Sequence, residues 1–264
     1  MKHFNTIVKV YLTIAMLVGL LSNLTAGPNR IPVADDFSLY SPGTPLINGT
    51  NGWYADSISV VVQSGITGAV AVNSNAAVLP MDTMLSNRFQ NVTATNIWTH
   101  LYIKVKKYDG TNPPVINTNA TVMFYVNSNG YFVMANGTNW EVSHNVQITN
   151  EDDWVKLDIF QDYDNKIWWL YVNEIPITNN GEIYNPPPKM QIFGNQVWTN
   201  RFINTVSIPK YTGFNIYNGG GATSYLSEAN VADVDRLPYV YCYPTNIFQN
   251  VIPGVEHCFI LKTN

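Results

Sequence analysis

Residues Ala120–Ile177 read ATVMFYVNSNGYFVMANGTNWEVSHNVQITNEDDWVKLDIFQDYDNKIWWLYVNEIPI, and this stretch decides the fold. Val122, Phe124 and Val126 alternate with Thr121, Met123 and Tyr125, the period of a strand with two different faces. Asn127 to Gly130 supplies turn chemistry, because Asn and Gly tolerate positive φ, and Tyr131 to Met134 returns as a hairpin partner. Asn136-Gly137 is a second turn. Val155, Leu157 and Ile159 form another alternation, Asp162 to Lys166 is a polar turn, and Trp168, Leu170 and Val172 face away from Ile167, Trp169 and Tyr171. The pattern predicts antiparallel strands joined by tight turns, with no helical period.

Outward from this stretch the pattern continues. Leu101, Ile103 and Val105 alternate with Tyr102, Lys104 and Lys106. Strands are also predicted at 36–40, 59–63, 69–72 and 85–90, with a late one marked by Phe214 and Ile216. Many short strands with closely spaced turns predict an all-β, two-sheet antiparallel jelly-roll sandwich. Its inward row is Leu101, Ile103, Val105, Val122, Phe124, Val126, Val155, Leu157, Ile159, Leu170 and Val172.

The 264 residues suffice for one large sandwich core. Charged residues are only 12% and aromatics 13%, which argues against disorder. The net charge is −4, and no basic patch suits nucleic acid or an anionic membrane. Residues 1–26 read as a secretory signal: Lys2 and Lys9 form the basic region, Val10 to Leu21 the apolar region, and Ala26 the cut point. An uncleaved anchor is the competing reading. Cleavage removes two basic residues and makes the remainder more acidic, and the product is expected to be secreted or held at the cell surface. Cys242 and Cys258 are a plausible disulfide, worth about 3 kcal/mol for a loop of this size; two buried thiols are the alternative. Composition shifts after Leu237, so the expected organisation is signal 1–26, sandwich 27–236 and tail 237–264.

The strand, Asn-Gly turn, strand, Trp pattern, followed by Trp154-x-x-Leu157-x-Ile159 and Asp162-Tyr-Asp-Asn-Lys-Ile-Trp168, resembles the laminin G-like jelly roll of the concanavalin A-like lectin/glucanase superfamily. Ala34-Asp-Asp-Phe-Ser-Leu-Tyr-Ser-Pro-Gly43 with Gly52-Trp53 resembles the start of bacterial secreted members, and Gly213–Tyr217 and Val231–Asp235 their closing strands. The resemblance implies a sandwich over most of 33–236. It does not name a ligand, since fold does not decide function.

These residues bear on three chemistries. The face opposite the inward row carries Tyr102, Tyr125, Trp169 and Tyr171, with Lys104, Lys156 and Asp158 nearby; such rings stack on sugar C–H surfaces while polar neighbours bind hydroxyls. The alternative is that these rings form a second minor core. Trp53, Tyr54 and Trp140 are weaker candidates in loop-like positions. Asp35, Asp36, Asp233 and Asp235 would meet if the terminal strands lie side by side, and related folds often hold structural Ca²⁺. Solvated carboxylates are the plainer account. No Glu-x-Asp-x-(x)-Glu strand, Gly-x-Ser-x-Gly or metal-spaced histidine is present, so an enzyme is not expected. The expected partner is a carbohydrate, the alternative other surface proteins contacted by a structural or adhesive protein.

Overall fold

The structure is a computed structural model that describes residues 27–71, 73–177, 182–184 and 197–233, with backbone alone at 182–184 and 197–198. The predicted signal, the tail with Cys242 and Cys258, and Asp235 lie outside these residues. Among the described residues sixteen strands are formed: β1 (Val33–Asp35), β2 (Trp53–Ala55), β3 (Val61–Gln63), β4 (Ala76–Leu79), β5 (Thr83–Arg88), β6 (Asn96–Lys104), β7 (Phe124–Val126) and β8 (Tyr131–Asn136), then β9 (Asn139–Gln147), β10 (Val155–Asp162), β11 (Ile167–Val172), β12 (Ile175–Pro176), β13 (Glu182–Tyr184), β14 (Val197–Arg201), β15 (Gly213–Asn218) and β16 (Ser224–Asp233). Among the described residues there is no helix, and hence none long and apolar enough to cross a membrane.

One large antiparallel sheet runs β13-β14-β11-β10-β6-β16-β4-β3. On one edge of β16, β4 pairs with its first part and β1 with its second; β12 adds to β11. Two three-stranded sheets, β15-β5-β2 and β7-β8-β9, supply inward-facing side chains to the same core. The result is an all-β sandwich, as predicted, with one layer divided into two short sheets.

Alternation explains the packing. Leu101 and Ile103 of β6, Val155, Leu157 and Ile159 of β10, and Trp168, Leu170 and Val172 of β11 lie on one face of the large sheet. They meet Trp53, Leu85, Phe132 and Met134 from the short sheets. Val105, Val122 and Phe124 pack against this core while partly buried, so the whole predicted inward row belongs to it. Each large side chain taken fully from water contributes roughly 1.5–3 kcal/mol.

The predicted turns also form. Asn127 takes Asn129 N–H and Tyr131 N–H on its side-chain oxygen, and Gly130 adopts φ 84°. Asp162 accepts Asn165 N–H at 2.8 Å and closes the β10–β11 turn. Three strand predictions change. The stretch predicted at 36–40 is a turn following β1, with Phe37 at φ 62°. Residues 69–71 form no strand and follow a turn at 67–68, because Ala69 N–H bonds Ile66 O locally instead of joining a ladder. Trp53, Tyr54 and Trp140, expected in loop-like positions, lie in strands, the first two in β2 and the third in β9, and Trp53 is 0% exposed.

Candidate functional site

The outer face of the large sheet is built by the residues that alternate with the core row. Register places Trp169, Phe160 and Trp98 in line across β11, β10 and β6. The next line across is Tyr171, Asp158, His100 and Asn230, extending to β16. The third is Lys156, Tyr102 and Glu228, and beyond it Lys104 faces Tyr225. Period-two alternation in four neighbouring strands thus lays an aromatic line, a polar line and a charged line side by side.

The aromatic end is largely closed, with Trp98 and Ile167 partly buried at its rim. Phe160 packs on Trp98 at 4.9 Å and on Trp169 at 4.6 Å between ring centroids. Phe160, Trp169 and Tyr171 form a second buried cluster, with Trp169 2% and Tyr171 3% exposed. Burial and the neighbouring Asp158 carboxylate push the Tyr171 phenol far above its ordinary pKa. Beside it His100 Nδ1 and Asp158 Oδ1 are 2.6 Å apart, both side chains buried. With Asp158 ionised, the imidazole Nδ1–H donates to it.

The other end of the face is open. Tyr102 and Trp154 are half-buried and stacked, with centroids 5.1 Å apart and planes at 16°. Trp154 directly precedes β10 and is fixed from two sides. Its Nε1–H donates to Thr67 O at 2.8 Å, and Gly68 leaves room for the ring. A Cβ at Gly68 would sit 2.7 Å from Trp154 Nε1, and the backbone there has φ +79°. Lys104 Nζ lies 5.3 Å from the Trp154 ring centroid and 5.6 Å from that of Tyr225. The result is a pair of near-parallel rings with a cation and a third ring beside it.

The four predicted ligand-binding residues are therefore distributed differently from expectation. Tyr102, Trp169 and Tyr171 share one face, but only Tyr102 is open. Tyr125 stands on β7, on the outer side of a short sheet in the opposite layer, against Tyr108 and Trp140. Its separation is topological: β7 alternates as the large-sheet strands do, but pairs with β8 rather than with β6 or β11. Trp154, Trp98, Tyr225, His100 and Asn230 join this face in addition to the predicted residues. Alternation in Trp98-Thr-His100-Leu-Tyr102-Ile-Lys104 carried the signal for two of them.

The described terminal aspartates are not brought together, and Asp235 lies outside the described residues. The terminal strands β1 and β16 do pair, but antiparallel, with Asp35 opposite Ala229 and Val33 opposite Val231. Asp233 is therefore four positions along β16 from Asp35, about 13 Å at strand rise. Asp35 is also engaged internally. Its Oδ2 accepts Trp53 Nε1–H at 2.9 Å and Tyr40 O–H at 3.0 Å, and its Oδ1 accepts Phe37 N–H at 2.9 Å. Asp36 accepts Ser38 N–H in a local turn. These side chains do not fit a shared calcium ion, and among the described residues no group of three His, Cys, Asp or Glu is placed to hold a metal. Carboxylates on the outer face are likewise engaged: Asp158 by His100, Asp162 by Asn165, and Glu228 by Asn230 Nδ2 at 2.6 Å.

No protein-family model matches the chain, and no curated protein does. Among solved structures, a sialidase is 11% identical over 77% of this chain with a TM-score of 0.46, and this chain spans only 18% of that protein's length. Domain 4 of AbnA, an extracellular GH43 arabinanase from Geobacillus stearothermophilus solved with arabinotriose, is 12% identical over 80% of this chain and 92% of that one, with a TM-score of 0.38. The exoplasmic/lumenal domain of VIP36, in a Ca²⁺- and Man2-bound form, is 9% identical over 72% and 86%, with a TM-score of 0.37. Likeness of this degree transfers none of those proteins' families or ligands to this chain.

Proposed function

We propose that this is a secreted, laminin G-like β-sandwich that recognises carbohydrate without catalysis, and that the contact is made at the Tyr102–Trp154 end of the outer face. The carrying observation is the half-open, parallel Tyr102–Trp154 pair. A sugar's C–H face gains most from a ring that is held rigid and already partly desolvated, because little ordering is then required on binding. Thr67, Gly68 and the flank of Lys104 hold Trp154 in that state. Lys156, Glu174 and Glu228 stand nearby as hydrogen-bonding groups.

The second reading, a structural or adhesive protein, draws on the buried Phe160–Trp169–Tyr171 cluster, which behaves as a minor core and not as a platform. One experiment separates the two. A glycan array is screened with residues 27–264, with Trp154→Ala and with Tyr102→Ala. Binding that falls about thirtyfold in Trp154→Ala, with an unchanged far-UV spectrum and a cooperative thermal transition, supports the carbohydrate reading. Absence of binding to every glycan rejects it in favour of the adhesive one.

A further inference from the structure

Lys104 distinguishes itself among the lysines around this platform. Lys106 Nζ is 3.2 Å from Asp152 Oδ1 and donates to Glu151 O; Lys156 Nζ is 3.4 Å from Glu174 Oε1. Among the described residues no carboxylate reaches Lys104, and its ammonium lies against two ring faces, those of Trp154 and Tyr225. The side chain is half-buried, so part of its water shell is gone. Ring quadrupoles keep the charged form favourable but replace only some of that hydration, because they offer no acceptor atom. Glu228, the acid nearest in register, lies one line over and accepts from Asn230.

We propose that the sugar taken by this platform carries an anionic substituent, and that Lys104 receives it beside the Trp154 ring. This rests on the reading of Tyr102 and Trp154 as a carbohydrate platform. A carboxylate or sulfate projecting from a ring stacked on Trp154 would meet the ammonium at the platform's edge, completing the ion pair that the fold leaves open. The chain as a whole is acidic, with 18 acidic against 14 basic residues, so its long-range field repels an anion. Selectivity for an acidic sugar must then come from a local contact, and Lys104 is placed to make it. The competing account is that Lys104 lays its stem over the rings only for packing.

The test uses matched pairs of probes: polygalacturonate against its methyl ester, and dextran sulfate against dextran. Each is titrated onto wild type, Lys104→Met, Lys104→Arg and Trp154→Ala, with melting temperature as the folding control. Lys104→Met keeps the stem and removes the charge. The expected result is about tenfold tighter binding of an acidic probe than of its neutral partner, a preference abolished by Lys104→Met and kept by Lys104→Arg. Whichever pair shows the preference identifies the anion as carboxylate or sulfate. Equal affinity for acidic and neutral partners, or a preference that survives Lys104→Met, overturns the role of Lys104 and leaves the stacking platform intact. Failure of every probe to bind, or binding indifferent to Trp154→Ala, overturns the platform and this inference with it.

Discussion

Single residues in this chain carry more than one neighbour's geometry. Asp35 satisfies the indole of Trp53, the hydroxyl of Tyr40 and the amide of Phe37, and Phe37 and Tyr40 in turn offer their carbonyls to Asn75 Nδ2. Replacing Asp35 with Ala strands a buried indole N–H, so urea unfolding is expected to show a loss of about 2–4 kcal/mol. Because this carboxylate serves donors of the protein itself, EDTA is expected to leave the melting temperature of the wild type unchanged; a fall of several degrees would return the terminal aspartates to a metal site. Gly68 matters for a different reason. At φ +79°, and with its missing Cβ pointed at Trp154 Nε1, Gly68→Ala is expected to displace the indole from Tyr102. Glycan affinity is expected to drop about tenfold, as measured by titration calorimetry, while the distant core stays folded. Neither role shows in the sequence, where Asp35 is one of a pair of aspartates and Gly68 one of 17 glycines.

At the scale of the strand, alternation sorts side chains into two faces but does not say which face stays wet. β11 illustrates this. Trp168, Leu170 and Val172 enter the main core as expected, yet Trp169 and Tyr171, on the opposite side, are just as inaccessible. Trp169→Ala is therefore a stability mutation. It is expected to cost about 3–5 kcal/mol in denaturant unfolding, whereas Trp154→Ala, on a half-exposed ring, should cost well under half of that. The reverse ordering would mean that the closed and open ends of the outer face have been exchanged. β6 makes the same point from the other side. Its outward residues run from Trp98 through His100 and Tyr102 to Lys104, and only the last two reach the open end. Tyr125 looks equivalent to Tyr102 in alternation, but its strand belongs to the β7-β8-β9 sheet, so the two never share a surface.

For the molecule as a whole, the buried tyrosines set an alkaline limit. Burial pushes Tyr163 up from the ordinary 10.0 to about 12, and pushes Tyr40, Tyr171 and Tyr211 higher. The folded state then holds these protons after the unfolded chain has released them, so unfolding free energy is expected to fall as pH rises from about 10 towards 12. Tyr163→Phe should flatten that fall in pH-dependent urea unfolding; an equal slope would assign it to the other tyrosines. The limits of the sequence reading follow from the same architecture. Period-two alternation, Asn-Gly turns and the absence of helical spacing were sufficient for the all-β sandwich, the inward row and the β7–β8, β8–β9 and β10–β11 turns. These signals are local, each contained within one strand or one turn. Which strands become neighbours, and at what register, depends on contacts between residues far apart in the chain. That pairing separated Tyr125 from Tyr102, set Asp35 and Asp233 about 13 Å apart, and brought Trp154 over Tyr102 against Gly68. By itself the sequence determined the fold class and the inward row of the central strands; the tertiary structure decided which aromatics are open and, among the described residues, that Lys104 meets rings instead of a carboxylate, because exposure is a property of what packs across a face and not of the strand that bears it.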